Sequence, residues 1–267
     1  MKDKSLKAGE FFIVDAHVHW GTLKRTPYMS ATINEVLDLN RKLGVKLNLL
    51  AGKLEQFLPA PVPEKVLLRG NEEMFSIVQK NKDCRMFAVY SPLYPSLKKQ
   101  VEDLAREDAL IGLKLGPVYH YYVMDSPVGD SVFEFLSALG LPAVAHCMNN
   151  PPFGSPEIFA KKAAKYPNVK ILLYHMGSTL PKNTHAQVIL KNKPNNLRVG
   201  SCSLTMTGHY GLLEDCVRKI TSKKIIYGSD VPCQHPAPCI ERIRQAALTY
   251  SQKADILGRN AIKFFRL

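Results

Sequence analysis

Eight short apolar runs alternate with amphipathic stretches along this chain, and that alternation constrains the fold more than any other feature. The runs are Phe11–Val18, Val45–Leu50, Arg85–Tyr90, Leu110–Leu115, Pro142–His146, Val169–His175, Leu197–Ser201 and Ile225–Gly228. Between them lie helical signals. Thr32-x-x-Glu35 is a capping box ahead of Ile33, Val36, Leu37 and Leu43, and Gly44 stands where a helix ends. Ser155-Pro156 pairs an N-cap with proline at the first helical position, and Ser131–Leu139 stops at Gly140. Continuous apolar strands alternating with helices require a parallel sheet covered on its outer face. Eight such units in 267 residues predict one α/β domain over residues 1–267, a distorted (β/α)8 TIM barrel. A last helix, Lys253–Phe265, is expected to pack on the barrel, and Ala51–Gly70, with Pro59, Pro61 and Pro63, reads as a long loop after the second strand. An open doubly wound sheet is the competitor, but no glycine-rich dinucleotide fingerprint follows the first strand.

Composition excludes several other classes. A chain that is 46% hydrophobic and 22% charged can bury a core and is not disordered. Six irregularly spaced cysteines without a C-x-x-C pair make neither a disulfide scaffold nor a zinc finger. No apolar run approaches the ~20 residues that cross a bilayer, and Met1–Glu10 has no apolar leader core. The expectation is a soluble cytoplasmic protein with reduced cysteines. The net charge of +13 invites a nucleic-acid reading. However, Lys98-Lys99, Lys161-Lys162 with Lys165, and Lys223-Lys224 are scattered over helices and helix ends. They form no stripe with interleaved aromatics, so nucleic acid is not expected as a partner.

In a barrel, chemistry gathers at the C-terminal ends of strands and in the loops that follow. The first run ends in Asp15-Ala-His17-Val-His19-Trp20-Gly21. Residues two apart on a strand share a face about 7 Å apart, so His17 and His19 can converge. The fifth run ends at His146, the sixth at His175, and the eighth leads into Gly228-Ser229-Asp230. Each alone is an ordinary packing or capping residue. Together they are a set of imidazole and carboxylate groups, the ligands that zinc and related divalent ions prefer.

The motifs Asp15-x-His17-x-His19, Gly112-x-Lys114-Leu115, His146, His175-Met176-Gly177, Gly228-Ser229-Asp230-x-Pro232 and Leu257-Gly258-x-Asn260-Ala261 resemble the amidohydrolase superfamily. They are most similar to its amidohydrolase 2 branch, which includes aminocarboxymuconate-semialdehyde decarboxylase. The resemblance implies a metal-dependent barrel enzyme with His17, His19, His146 and Asp230 as ligands of one divalent ion. That ion is expected to be zinc, with manganese, iron or nickel as alternatives. His175 would orient metal-bound water or, in two-metal members, hold a second ion bridged by a carboxylated lysine on the fourth strand. Lys114 stands on that strand and alternates with Gly112 and Gly116, which points it into the barrel. Three readings stay open for it: a carboxylated bridging ligand, an ammonium holding an anionic substrate group, or a structural ion pair.

The parts define a mechanism in which the ion lowers the pKa of its water and polarises a substrate oxygen. Asp230 would carry the proton and His175 would steady the developing charge. Hydrolysis of an ester, lactone or amide of a small anionic substrate is the expected reaction, because the chain is short for the decarboxylases of this branch. Non-oxidative decarboxylation on the same metal is the alternative. Trp20, Arg25, Tyr119, Asn149 and Lys114 are the candidate substrate contacts. A small-molecule substrate and a homo-oligomer are the expected partners.

Overall fold

The computed structural model describes residues 10–23, 26–58, 60–147, 152–175, 194–204 and 211–267. Among them nine strands form one sheet in the order β2-β1-β3-β4-β5-β6-β7-β8-β9. Seven of the strands that follow the first lie at the expected runs: β3 (Val45–Lys53), β4 (Cys84–Tyr90), β5 (Leu110–Leu115), β6 (Ala143–Ala145), β7 (Ile171–Leu173), β8 (Leu197–Gly200) and β9 (Ile225–Ile226). Each of these pairs in parallel with its neighbour, starting from β1 (Ile13–Leu23). The sheet curls round until its ends meet. His19 N–H donates to the Val231 carbonyl (2.8 Å), Asp230 N–H to that of His17 (2.9 Å), and Ala16 N–H to that of Tyr227 (3.1 Å). This is the expected distorted (β/α)8 barrel. One strand was unforeseen: β2 (Thr26–Ala31) folds back antiparallel on the end of β1.

The reading of Ala51–Gly70 as a loop is corrected in part. A turn at Leu54–Gln56 is followed by a helix from Glu64 to Lys80, with Pro63 as its N-cap residue. Proline-rich punctuation marked the entry to a helix here as well as a loop. The helix lies over β3 and β4. Its Asn71 replaces missing ladder partners, donating to the Val89 carbonyl (3.0 Å) and accepting from Val89 N–H (2.9 Å). Gln56 in the preceding turn donates to the Leu67 carbonyl (3.0 Å), which ties the turn to the helix.

Two apolar layers follow from the strand alternation. Leu113, Leu115, Ala143, Ala145, Leu173 and Val199 face outward against the helices. Val14, Leu49, Phe87, Val144, Leu172 and Ile226 face inward. Ala261, Phe264 and Phe265 close the interior where the strands begin. Phe265 packs on Phe87 with ring centroids 5.1 Å apart. The last helical segment therefore packs on the barrel as expected, although Asp255–Arg259 widens into a π-turn between Tyr250–Ala254 and Asn260–Phe265. The apolar floor leaves the opposite end of the barrel for polar groups. No helix among the described residues is long and apolar enough to cross a membrane.

Candidate metal centre and active-site cavity

The site begins with an irregularity in β1. Val14 and Ala16 belong to the interior layer, whereas Val18 and Trp20 belong to the outer one. The register against β3 shifts between Asp15 and Val18. A bulge of this kind re-aims side chains, and here it turns His17 and His19 inward just above the apolar interior. Both line a cavity of about 80 Å³ at the strand C-terminal ends, with Lys114, Tyr119, His146, His175, Asp230 and Cys233. The barrel thus gathers all five strand-end residues and Lys114 into one place.

His17, His19 and Asp230 form the tightest group, with their ligand atoms within 4.8 Å of one another. The two Nε2 atoms are 2.9 Å apart, and Asp230 Oδ1 lies 3.3 Å from that of His17 and 3.7 Å from that of His19. Their orientation is set from behind. His19 Nδ1 is 2.6 Å from the Gly52 carbonyl, which can only accept, so Nδ1 carries the proton and Nε2 keeps its lone pair. Gly52 has φ +104° and its missing Cβ would meet Val89 at 2.6 Å. Only glycine turns its carbonyl this way without strain. His17 Nδ1 lies 3.3 Å from Cys202 Sγ, and the His17 ring stacks on Tyr174 at 3.5 Å. The Tyr174 hydroxyl in turn donates to the Ala16 carbonyl (2.6 Å).

Asp15 is not in this group. Its carboxylate accepts from Ser229 N–H (2.9 Å), the Ser229 hydroxyl (2.6 Å), Asn40 Nδ2 (3.2 Å) and His17 N–H (3.2 Å). It staples β1 to the segment that carries Asp230. Gly228 allows that close approach, since a Cβ there would lie 2.7 Å from His17 Cβ.

His146 and His175 make a second pair across the cavity. His175 Nε2 is 2.8 Å from His146 Nδ1, and the Tyr119 hydroxyl is 3.1 Å from His146 Nε2. His175 Nδ1 contacts Ser203 Oγ (3.2 Å), which also accepts from Gln234 Nε2 (3.3 Å), and it faces Asp230 Oδ2 at 3.9 Å. His175 N–H donates to Cys202 Sγ (2.9 Å). One thiol thus braces a residue from each pair. His175 and Asp230 both have left-handed backbones, φ 63° and 68°. Such conformations cost of order 1–3 kcal/mol each and collect at functional sites.

Burial governs the protonation states. It pulls His17 far below the usual imidazole range and takes His19 to about 3, with the Lys114 charge adding to both. Both rings are therefore neutral at physiological pH, as ligation requires. Burial lifts Asp230 and pulls Lys114 down, and each group's charge opposes the shift of the other. Burial also takes Asp15 up to about 6 despite its four donors. The neutral imidazoles, the carboxylate and the outer-shell partner of each histidine fit a divalent cation.

Other expected contacts fall differently. Trp20 is buried in the wall between β1 and the Glu64–Lys80 helix, its Nε1 3.4 Å from Glu73, and does not line the cavity. The bulge that aims His19 inward sends Trp20 outward. Arg25 and Asn149 lie outside the described residues. The cavity wall includes Leu23, Leu54, Phe57 and Leu58, which carried no role in the sequence reading. Their signal was an apolar cluster, Leu54-x-x-Phe57-Leu58, inside a supposed loop.

A distorted (β/α)8 barrel with a histidine–carboxylate cluster at this end is an enzyme architecture. The chain belongs to the amidohydrolase family, whose sequence profile matches residues 14–267. Among solved structures it is similar to 5-carboxyvanillate decarboxylase LigW from Sphingomonas paucimobilis, with a TM-score of 0.75 and 18% identity over 97% of this chain and 100% of that one. It is similar to 2,6-dihydroxybenzoate decarboxylase from Rhizobium, with a TM-score of 0.73 and 14% identity over 96% and 99%. It is also similar to a dihydroxybenzoic acid decarboxylase from Polaromonas sp. JS666, solved with manganese and the inhibitor 2-nitroresorcinol, with a TM-score of 0.74 and 17% identity over 97% and 98%. A search of curated proteins finds no match. These matches correct the expectation of hydrolysis. That expectation took the short chain to set it apart from decarboxylases, yet it aligns with decarboxylase barrels across nearly their whole length.

Proposed function

We propose that this protein is a non-oxidative decarboxylase of a small aromatic or unsaturated carboxylic acid, dependent on a divalent metal ion. The observation that carries the proposal is the cavity itself. A buried His17–His19–Asp230 cluster forms its base and Leu23, Leu54, Phe57 and Leu58 line its wall. An apolar wall strips water from a bound carboxylate and favours its conversion to uncharged carbon dioxide. The decarboxylase barrels to which the chain is similar support the same reading.

The donors that would hold the ion are His17, His19 and Asp230, with His146 as the fourth ligand that the family resemblance implies. Bound there, a zinc or manganese ion would supply a Lewis acid for a substrate oxygen. Asp230 is the proton carrier, because its carboxylate stands at the base of the cavity with His175 beside it. As the bond between the ring and its carboxylate breaks, the electron pair stays on the ring carbon, the proton from Asp230 lands there, and carbon dioxide leaves. His175, 3.9 Å from Asp230, returns a proton to the carboxylate.

The test is incubation of zinc- and manganese-loaded protein with a panel of hydroxybenzoic and unsaturated acids, following carbon dioxide release. Release that stops on chelation and returns with metal is the expected result. A panel with no release from either loaded form would overturn the proposal.

A further inference from the structure

Phe57 is 5% exposed and lines the cavity, where the proposed reaction uses it only as apolar wall. It stands among three other rings. The His19 ring meets it at 77° with centroids 5.3 Å apart, and the Tyr119 ring at 70° and 5.6 Å. The His120 ring stacks beside it at 19° and 6.0 Å. Lys114 Nζ lies 5.5 Å from the Phe57 centroid and 4.2 Å from that of Tyr174. Two glycines leave the ring its space. A Cβ on Gly52 would come within 3.0 Å of it, and one on Gly116 within 3.4 Å. The turn that carries Phe57 is fixed from two sides. The Gln56 side chain accepts from Lys53 N–H (2.8 Å) and donates to the Leu67 carbonyl (3.0 Å). The Gln56 carbonyl accepts from Nε2 of the buried His120 (2.9 Å). One histidine thus stacks on Phe57 and also pins its backbone. An apolar wall needs no such control of angle, whereas contact with another ring does, because aromatic pairs gain from quadrupole geometry beyond the area they bury.

We infer that Phe57 selects a planar aromatic ring in the substrate over a saturated ring of similar size, and that His120 positions it for that contact. The inference rests on the decarboxylase reading for the acid group that accompanies the ring. Ring selectivity in binding tests it without turnover.

The experiment is calorimetric titration of zinc-loaded protein with benzoate and with cyclohexanecarboxylate, on wild type, Phe57→Leu, His120→Leu and the double variant. Both acids carry the same carboxylate, so what the ion and Lys114 contribute cancels in the ratio of affinities. Wild type should bind benzoate about 3–10-fold more tightly. Phe57→Leu should bring the ratio to about 1 or below. His120→Leu should lower it part of the way, and His120→Gln, which can still donate to the Gln56 carbonyl, should restore most of it. Where either leucine variant fails to fold, methionine at the same position makes the same comparison. In the double variant the loss at His120 should add nothing to the loss at Phe57, because a positioning residue acts through the ring it positions. No ring preference in wild type, equal losses for both acids in Phe57→Leu, or additive losses in the double variant would overturn the inference. So would failure of both acids to bind. Failure of turnover on every acid, with the ring preference intact, would defeat the decarboxylase reading and leave the ring contact standing.

Discussion

Strands β1 and β3–β5 run for 11, 9, 7 and 6 residues, whereas β6–β9 run for 3, 3, 4 and 2. The site draws on both halves but holds its residues differently in each. His17, His19 and Lys114 lie within strands, so the backbone ladder positions them. His146, His175 and Asp230 lie just beyond short strands. His146 N–H still donates to the Leu115 carbonyl of β5 (2.9 Å), whereas His175 and Asp230 are held by bonds between the segments beyond the strands: Asp15 to Ser229, Cys202 to His175, Ser203 to His175 and Gln234. The first half supplies rigid donors and the second supplies groups whose placement depends on a few buried side chains. Strand length here decides whether a residue is placed by the sheet or by its neighbours.

That contrast can be broken at its centre. Asp230→Asn keeps the shape of the side chain but removes both the ligand charge and the proton carrier, so activity on any acid that turns over should fall by about 10²–10⁴-fold. Metal content, measured alongside, should fall with it. The next largest effect should come from Asp15, which touches no ligand atom of the cluster. Asp15→Ala strands the Ser229 and Asn40 donors in the interior, and urea unfolding should show a loss of about 3 kcal/mol. If Asp15→Ala leaves stability intact, the two halves are not stapled through it.

Cys202 sharpens the comparison because it touches one residue from each half. Cys202→Ala should weaken metal binding by about 10–100-fold, as loss of an outer-shell partner does. Cys202→Ser should recover part of the loss. Metal competition measures both. The smallest effect lies on the outer surface. Asp130 meets Lys162 at 2.6 Å and Lys165 at 3.0 Å, and these bonds take its carboxyl down to about 2. A depressed carboxyl stabilises the fold above its unfolded value near 3.8 and loses that contribution as pH falls toward 2. Asp130→Asn leaves the buried Lys162 an amide oxygen in place of a carboxylate, so it should cost about 1 kcal/mol at neutral pH and flatten the acid limb of stability.

The barrel was legible because a strand buried on both faces must be apolar throughout, and eight such runs are visible as runs. The short hairpin arm Thr26–Ala31 was not, because a polar edge strand carries no such mark. The helix from Glu64 was hidden by the prolines before it. Within the site, the positions of His17, His19, His146, His175 and Asp230 were readable from their place at run ends, but Trp20 was misplaced. Trp20 reads as a loop residue beyond the first run, but β1 continues to Leu23, and alternation from the inward-facing His19 turns Trp20 out into the wall. Cys202 stood near a run end and could border the site, but neither its partners nor the role of Gly52 could be read, for a related reason. Their roles lie in a thiol and a carbonyl pointing at rings about 185 and 33 residues away along the chain, and spacing carries no trace of that.

The amino-acid sequence by itself determined the eight-unit barrel, the end at which chemistry gathers and the residue types gathered there, because burial and strand alternation act over a few neighbouring residues. Only the tertiary structure decided which donors converge, which ring nitrogens keep their lone pairs and whether Lys114 faces an anion or an aromatic ring. Those outcomes depend on strands brought together by barrel closure, and no local pattern encodes the distance between them.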